Sequence, residues 1–280
     1  MELRRGLRDW LLAKDSDPSV RLRVLRDILD RPTDDPAVAR AQKEVGRRGW
    51  AAQILNGQHA EGHWVTPGNS ARELYRPKYV ATNWRLLVLS DIGLTKKNAR
   101  VARAVNLFVR RFDWLVRHQK KDGGWHCFRS STGTLDCWEA LAAFSALPTA
   151  SRTPEIRRAI ERGAEFYLKR RLFREGAHPY RPWFRLHYPV HYYYDLLVGL
   201  DVLTSLGCVD DPRIRPSLDR LIEMRNRDGS WNMDALHPDS EDPAYQFRGP
   251  FYPLGLEVAG RPSRWITTTA LTVLKRMGEG

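Results

Sequence analysis

A short pattern recurs along this chain, and its spacing limits the possible folds more than any other feature. Gln58-x3-Gly62-x-Trp64 is followed by Gln119-x3-Gly123-x-Trp125, and a third copy, Arg225-x3-Gly229-x-Trp231, has Arg in the first place. The glycines stand 61 and 106 residues apart, and Gly176 lies midway across the longer gap, 53 residues from each neighbour, with Leu172 and His178 in the places of Gln and Trp. Four copies, one of them degenerate, set a period of 53–61 residues. Self-similarity at a fixed period of this kind marks an array of supersecondary units that bury their apolar faces against one another.

What fills each period reads as helix. Asp17-Pro18, Asp35-Pro36, Thr153-Pro154 and Asp211-Pro212 each set a capping side chain before a proline suited to the first helical position. Gly93, Gly207 and Gly278 stand where helices would stop. Two kinds of helix alternate: long charged ones such as 98–119, with Val101, Val105, Phe108, Phe112 and Leu115 at helical spacing, and short ones apolar nearly all round, such as 135–147, 192–206 and 265–277. Pairing an outer with an inner helix predicts five hairpins: 3–14 with 18–30, 35–56 with 77–93, 97–119 with 135–147, 153–172 with 190–206, and 210–226 with 263–277. No segment alternates as a strand would. The expectation is therefore an all-α fold, a single α/α toroid domain over residues 1–280, with repeats near 3–30, 35–93, 97–147, 153–206 and 210–277. An open array would need polar caps at both ends, whereas Leu3–Leu12 has an apolar face able to pack beside the last inner helix and close a ring.

Composition narrows the function classes. The formal charge is +13, from 46 basic against 33 acidic residues, and the basic residues are interleaved with acids along the outer helices. That pattern reads as a solvated wall, so nucleic acid is not the expected partner. Three cysteines, 127, 137 and 208, form no disulfide framework and suit a reducing cytoplasm. The N-terminus has no signal-peptide core, and no apolar run is long enough to span a bilayer. A cytoplasmic protein able to touch an anionic membrane surface is expected.

The Gln-x3-Gly-x-Trp repeat, placed after an outer helix and before an inner one, resembles the QW motif of the superfamily of squalene–hopene cyclases, oxidosqualene cyclases and protein prenyltransferase β-subunits. The resemblance covers residues 35 to 277. It implies an α/α toroid in which Gln58, Trp64, Gln119, Trp125 and Trp231 brace the ring, and a ligand of isoprenoid type. The chain departs from the family where chemistry is concerned. No Asp-x-Asp-Asp stands at an inner-helix start, Asp239-Ser240-Glu241-Asp242 being the nearest text; Asp-Asp-x-x-Asp is absent; and Asp136 and Cys137 are adjacent where the prenyltransferase zinc site has Asp-x-Cys. No metal and no cofactor are expected.

Candidate site residues come from two clusters. In His187-Tyr-Pro-Val-His191-Tyr-Tyr-Tyr194-Asp195 the two histidines have zinc-ligand spacing, but Pro189 sets His187 outside the helix. His191 and Asp195, four apart on the predicted helix, share a face and read either as an acid–base pair or as a buried polar lock between helices. Asp136 and Glu139 read as a capping box at the mouth of the ring, where the same carboxylate would stand beside the cavity. Asp136, His191 and Asp195 are the catalytic candidates, and Tyr79, Trp84, Trp138, His187, Tyr194, Arg264 and Trp265 the substrate-binding ones. Aromatic faces converging on one space suit an isoprenoid, bound by apolar area and, as a carbocation, by cation–π attraction. The expected function is a terpene cyclase-like or prenyltransferase-like protein that acts on or binds an isoprenoid or other apolar small molecule. A non-catalytic toroid holding a lipid-like or peptide ligand, and a basic helical-repeat nucleic-acid binder, are the alternatives.

Overall fold

The computed structural model describes residues 3–65, 80–106, 112–176, 178–190, 193–236 and 257–279. Twelve α-helices run through these residues. They are α1 (Arg5–Leu11), α2 (Pro18–Arg23, continued by a π turn Val24–Ile28), α3 (Pro36–Glu44), α4 (Gly49–Asn56), α5 (Thr82–Asp91), α6 (Ala99–Asn106) and α7 (Phe112–His118). After them come α8 (Glu139–Ser145), α9 (Pro154–Lys169), α10 (Leu196–Ser205), α11 (Arg215–Glu223) and α12 (Arg264–Arg276). The fold is mostly helical, as expected. Two antiparallel ladders that the sequence did not announce, Arg174–Glu175 with His178–Pro179 and Asn232–Met233 with Arg261–Pro262, are two residues long on each side.

The capping signals work as read. The side chains of Asp17, Asp35 and Thr153 accept backbone N–H bonds at the starts of α2, α3 and α9, each with proline in the first turn. Asp211 does the same for the short turn that leads into α11.

Three helix boundaries differ from the expected ones. The outer helix expected over 35–56 is broken between α3 and α4, where Asp17, having capped α2 with one oxygen, accepts the N–H of Trp50 with the other at 2.8 Å. A Cβ on Gly49 would come within 2.1 Å of that carboxylate, so the close approach requires glycine. The inner helix expected from 190 begins only at Leu196, because Asp195 has extended backbone and caps it through Val198 N at 3.0 Å. Asp195 is thus the cap of α10 rather than a member of it, and His191, its expected partner on one face, lies outside the described residues. Finally, 135–147 opens as a tight turn, Leu135–Cys137, capped by Thr134 rather than Asp136. The expected Asp136–Glu139 capping box does not form.

The recurring motif is a brace. Trp64, Trp125 and Trp231 each donate the indole N–H to the carbonyl ten residues earlier, at Ile54, Leu115 and Leu221 near the end of their own outer helix, at 2.6, 2.8 and 2.7 Å. Gln58 and Gln119 each bond two carbonyls, that of the motif glycine and one in the next outer helix: Gly62 and Arg100 for the first, Gly123 and Ala159 for the second, all at 2.8–3.0 Å. The motif glycines sit at φ near +100°, and a Cβ on Gly123 would meet the Arg162 carbonyl of that next helix at 2.2 Å. Arg225 replaces glutamine by donating Nε to Gly229 O at 3.3 Å. At the degenerate copy no such brace stands among the described residues; there Ser217 of α11 donates to Arg171 O at 2.8 Å, and Arg213 spans to Glu165.

The helices expected on the inner side are α2, α5, α8, α10 and α12. Helix α12 packs against α10 on one side and α2 on the other, and α10 also packs against α8. Charged helices cover them, α3 on α2, α6 on α5, α9 on α8 and α11 on α10, and the uncharged α4 also packs on α5. The contact from the first hairpin to α12 comes mainly from α2: Lys275 Nζ donates to the carbonyls of Asp27 and Ile28 at 2.9 and 3.1 Å, and Arg23 to Thr269 Oγ1 at 3.0 Å. Helix α1 lies instead over the third motif turn, with Leu7 against Gly229 and Arg4 bonded to Arg227 O.

Replacing Gln119 with Ala removes two bonds to carbonyls that have no other side-chain donor of this kind, at about 1 kcal/mol each. Urea unfolding of Gln119→Ala is expected to show a loss of roughly 1–3 kcal/mol with unchanged helical content at the start of the transition.

Candidate functional site

A cavity of about 420 Å³ is walled by residues from all five inner helices. Its aromatic wall is Trp138, Tyr188 and Trp265, and its aliphatic wall includes Leu87, Val198, Val202 and Ile266. Trp138, at the start of α8, is fixed by donating its indole N–H to Tyr193 O at 2.8 Å. Trp265, in the first turn of α12, is held edge-on by Trp50 at 5.8 Å and lies 4.9 Å from the Tyr188 ring. The Arg23 guanidinium stands 4.8 Å over the Trp265 ring. One aromatic face is thus already occupied by a cation from α2.

The charged lining includes Arg23, Arg26, Asp91, Glu139 and Asp201, and two groups of the wall, His187 and Asp195, are buried. Asp195 Oδ2 accepts the backbone N–H of His187 at 3.1 Å and lies 3.2 Å from its Nδ1, while Oδ1 caps α10. Nδ1 is also 3.2 Å from the Arg185 carbonyl, so both of its neighbours are acceptors. Those contacts place the ring proton on Nδ1 and make Nε2 the basic nitrogen of the neutral ring.

A second cavity, also about 420 Å³, lies next to the first and shares Leu87 and Glu139 with it. It is lined by Trp84, Phe128 and Tyr193 with Asn83, His126, Cys127, Asp136 and Cys137. Freed from the capping box, Asp136 accepts the indole N–H of Trp183 at 3.1 Å and the hydroxyl of Thr134 at 3.4 Å. Burial pushes its carboxyl above the usual aspartate range, and these two hydrogen bonds offset part of the rise.

The expected site residues thus separate. Trp138, His187, Asp195 and Trp265 meet in the first cavity, and Trp84 and Asp136 in the second. Tyr194 lines neither: it is buried beside Trp183 and Tyr167 and donates its hydroxyl to Leu172 O at 2.8 Å. Arg264 turns away to Asp15, at 3.0 Å, and to the Trp10 carbonyl. Tyr79 and His191 fall outside the described residues.

Sequence reasoning passed over Arg23, Tyr188 and Glu257. Arg23 shares its stretch with Arg21 and Arg26, so no local signal singled it out. Glu257 had no local signal. It accepts the hydroxyl of Ser263 and the N–H groups of Arg264 and Trp265, capping α12, and burial raises its carboxyl above the usual range.

The sequence matches no family model and no curated protein. Among the described residues there is no group of three or more His, Cys, Asp and Glu that could hold a metal ion. No helix among them is long and apolar enough to cross a membrane.

Because Asp136 binds its proton more tightly folded than unfolded, it lowers stability as pH rises from about 4 through its raised folded value. Asp136→Asn keeps an acceptor for Trp183 but cannot ionise. Thermal melts should show the variant more stable than wild type at pH 7, with the difference vanishing below about pH 4.

Proposed function

We propose that the five outer–inner pairs close into a single α/α ring and that the ring binds an isoprenoid, or a comparably apolar small molecule, in the first cavity. The observation that carries this reading is the convergence of all five inner helices on one aromatic-walled space. Ring closure is supported at the third motif. Gly62 and Gly123 each face the next outer helix, and at Gly229 the neighbour in that position is Leu7 of α1. The contacts of α12 with both α10 and α2 agree.

A volume of about 420 Å³ falls at the smaller end of the usual ligand-pocket range of roughly 300–1,000 Å³, which favours a short prenyl chain over a triterpene. Such a chain is held by area, at about 25 cal/mol per Å² removed from water. Trp138, Tyr188 and Trp265 supply the aromatic wall for any developing positive charge, with Arg23 standing over Trp265. Proton transfer in this reading is the work of His187, with Asp195 as the positioning residue that holds its tautomer.

A second reading, a ring that holds its ligand without turnover, is favoured by one specific observation. Both oxygens of Asp195 already accept backbone N–H groups, so the carboxylate has a complete structural role. Arginines of the outer wall paired with acids, Arg48 with Glu44, Arg158 with Glu155 and Arg220 with Glu223, count against a nucleic-acid binder driven by net charge.

The test is a titration of the protein with short prenyl alcohols and straight-chain alcohols of equal carbon number, followed by tryptophan fluorescence and calorimetry. Saturable binding that prefers the prenyl compound and is lost in Ala142→Phe, which fills the cavity wall, is the expected result. No binding up to the solubility limit, or binding untouched by that substitution, overturns the reading. If prenyl diphosphates are turned over, His187→Gln is expected to lower kcat by about 10²–10⁴-fold with ligand affinity retained. Unchanged turnover in that variant removes His187 from the chemistry.

A further inference from the structure

Large apolar side chains that stand in solvent are few among the described residues, and most of them lie on connections between helices: Phe128, Tyr180, Leu236 and Val258. Phe128 and Val258 are the most exposed, at 67% and 69%. Three of these connections also present an exposed arginine close by. Arg129 follows Phe128, Arg181 follows Tyr180, and Arg261 stands shortly after Val258. None of the three arginines takes part in an ion pair among the described residues.

The three tips lie on one continuous surface. Trp183 joins the second to the first: Tyr180 packs edge-on against its ring at 4.8 Å, and its indole N–H goes to Asp136 at 3.1 Å, which lines the second cavity together with Phe128. Asp234 joins the second to the third, accepting the N–H of Leu186 at 2.9 Å and donating its own to Leu186 O at 2.7 Å. Beside it Met233 pairs with Arg261 and accepts the N–H of Gly260 at 2.7 Å. The acids Asp136, Asp234 and Glu257 on these connections are engaged by donors of their own, and the exposed Glu175 of the second tip is outweighed by the three arginines.

We propose that these tips form a docking face for an anionic lipid bilayer, in which Phe128, Tyr180 and Val258 enter the boundary between headgroups and acyl chains and Arg129, Arg181 and Arg261 meet the lipid phosphates. The pattern fits a bilayer better than an acidic protein. A protein partner is met by a contiguous apolar patch or groove. Here single apolar side chains stand on separate tips, each beside a cation, which is the order of chemistry met on entering a bilayer: charge in the headgroup layer, hydrocarbon beneath it. Docking of this kind is independent of what either cavity holds. Because Phe128 also lines the second cavity, docking turns the rim of that cavity toward the lipid.

The test sediments the whole chain with vesicles of phosphatidylcholine alone and of phosphatidylcholine mixed with phosphatidylserine. Binding to the mixed vesicles that is weak on phosphatidylcholine and released by added salt is the expected result. A cation held near such a surface strengthens binding about fivefold, so Arg129→Gln, Arg181→Gln and Arg261→Gln together are expected to weaken it roughly 100-fold. Arg40→Gln, Arg47→Gln and Arg157→Gln remove the same charge from exposed arginines elsewhere and are expected to leave binding nearly unchanged. Phe128→Ser with Val258→Ser is expected to weaken binding while leaving its salt dependence in place. No sedimentation with the mixed vesicles, equal losses from the two sets of arginine substitutions, or capture of polyglutamate or duplex DNA in preference to the mixed vesicles overturns the proposal. All the substituted side chains are exposed, and the wild-type comparison of the two vesicle types stands even where a variant misfolds.

Discussion

The rest of the architecture hangs on one contact repeated at each well-formed motif: an indole N–H given to a carbonyl at the end of the outer helix ten residues before it. Helix C-termini leave carbonyls without intrahelical donors, and a layered helical fold buries those ends between units. The tryptophans at 64, 125 and 231 satisfy one such carbonyl each while filling the space beneath the turn. Glutamine extends the same logic outward. With one amide it bonds the motif glycine and a carbonyl of the following outer helix, so each of the two glutamine braces also fixes where the next unit stands. The backbone N–H groups of Trp64 and Trp231 complete the tie by donating to Thr82 and Thr267 at the starts of α5 and α12.

Carboxylates play a matching role at helix starts. Asp17 caps α2 and anchors α4, Asp195 caps α10 while gripping His187, and Glu257 caps α12. Asp17 and Asp195 each stand where two segments meet, so that one acid satisfies donors from both. This explains why acids near the cavity are not by themselves marks of catalysis. Asp136 is the exception in kind. Its side-chain donors are an indole and a hydroxyl, it faces a cavity, and burial favours its neutral form.

How much could be read in advance depended on the range of the interaction involved. The order of helices, the Asp-Pro and Thr-Pro starts and the glycine–tryptophan braces were legible, since each rests on groups within about ten residues of one another. The break between α3 and α4 was not, because its cause is an aspartate on another helix. The place of Asp195 was missed for a related reason: a residue that can sit inside a helix can also cap one, and the bond to Val198 N selects the cap. Likewise Thr134 displaced Asp136 from the capping role two residues away.

By itself, the sequence determined the helical class, the alternation of charged and apolar helices and the brace that spaces them, because local spacing encodes local hydrogen bonds. Only the tertiary structure decided which side chains meet. Arg23 stands over Trp265, Trp138 and His187 share a cavity, Asp136 occupies the neighbouring one, and Arg264 turns to Asp15 instead. Those partners lie far apart along the chain. Their meeting depends on how each inner helix is rotated about its axis when it packs, a rotation set by interdigitating side chains on neighbouring helices and carried by no single segment of sequence.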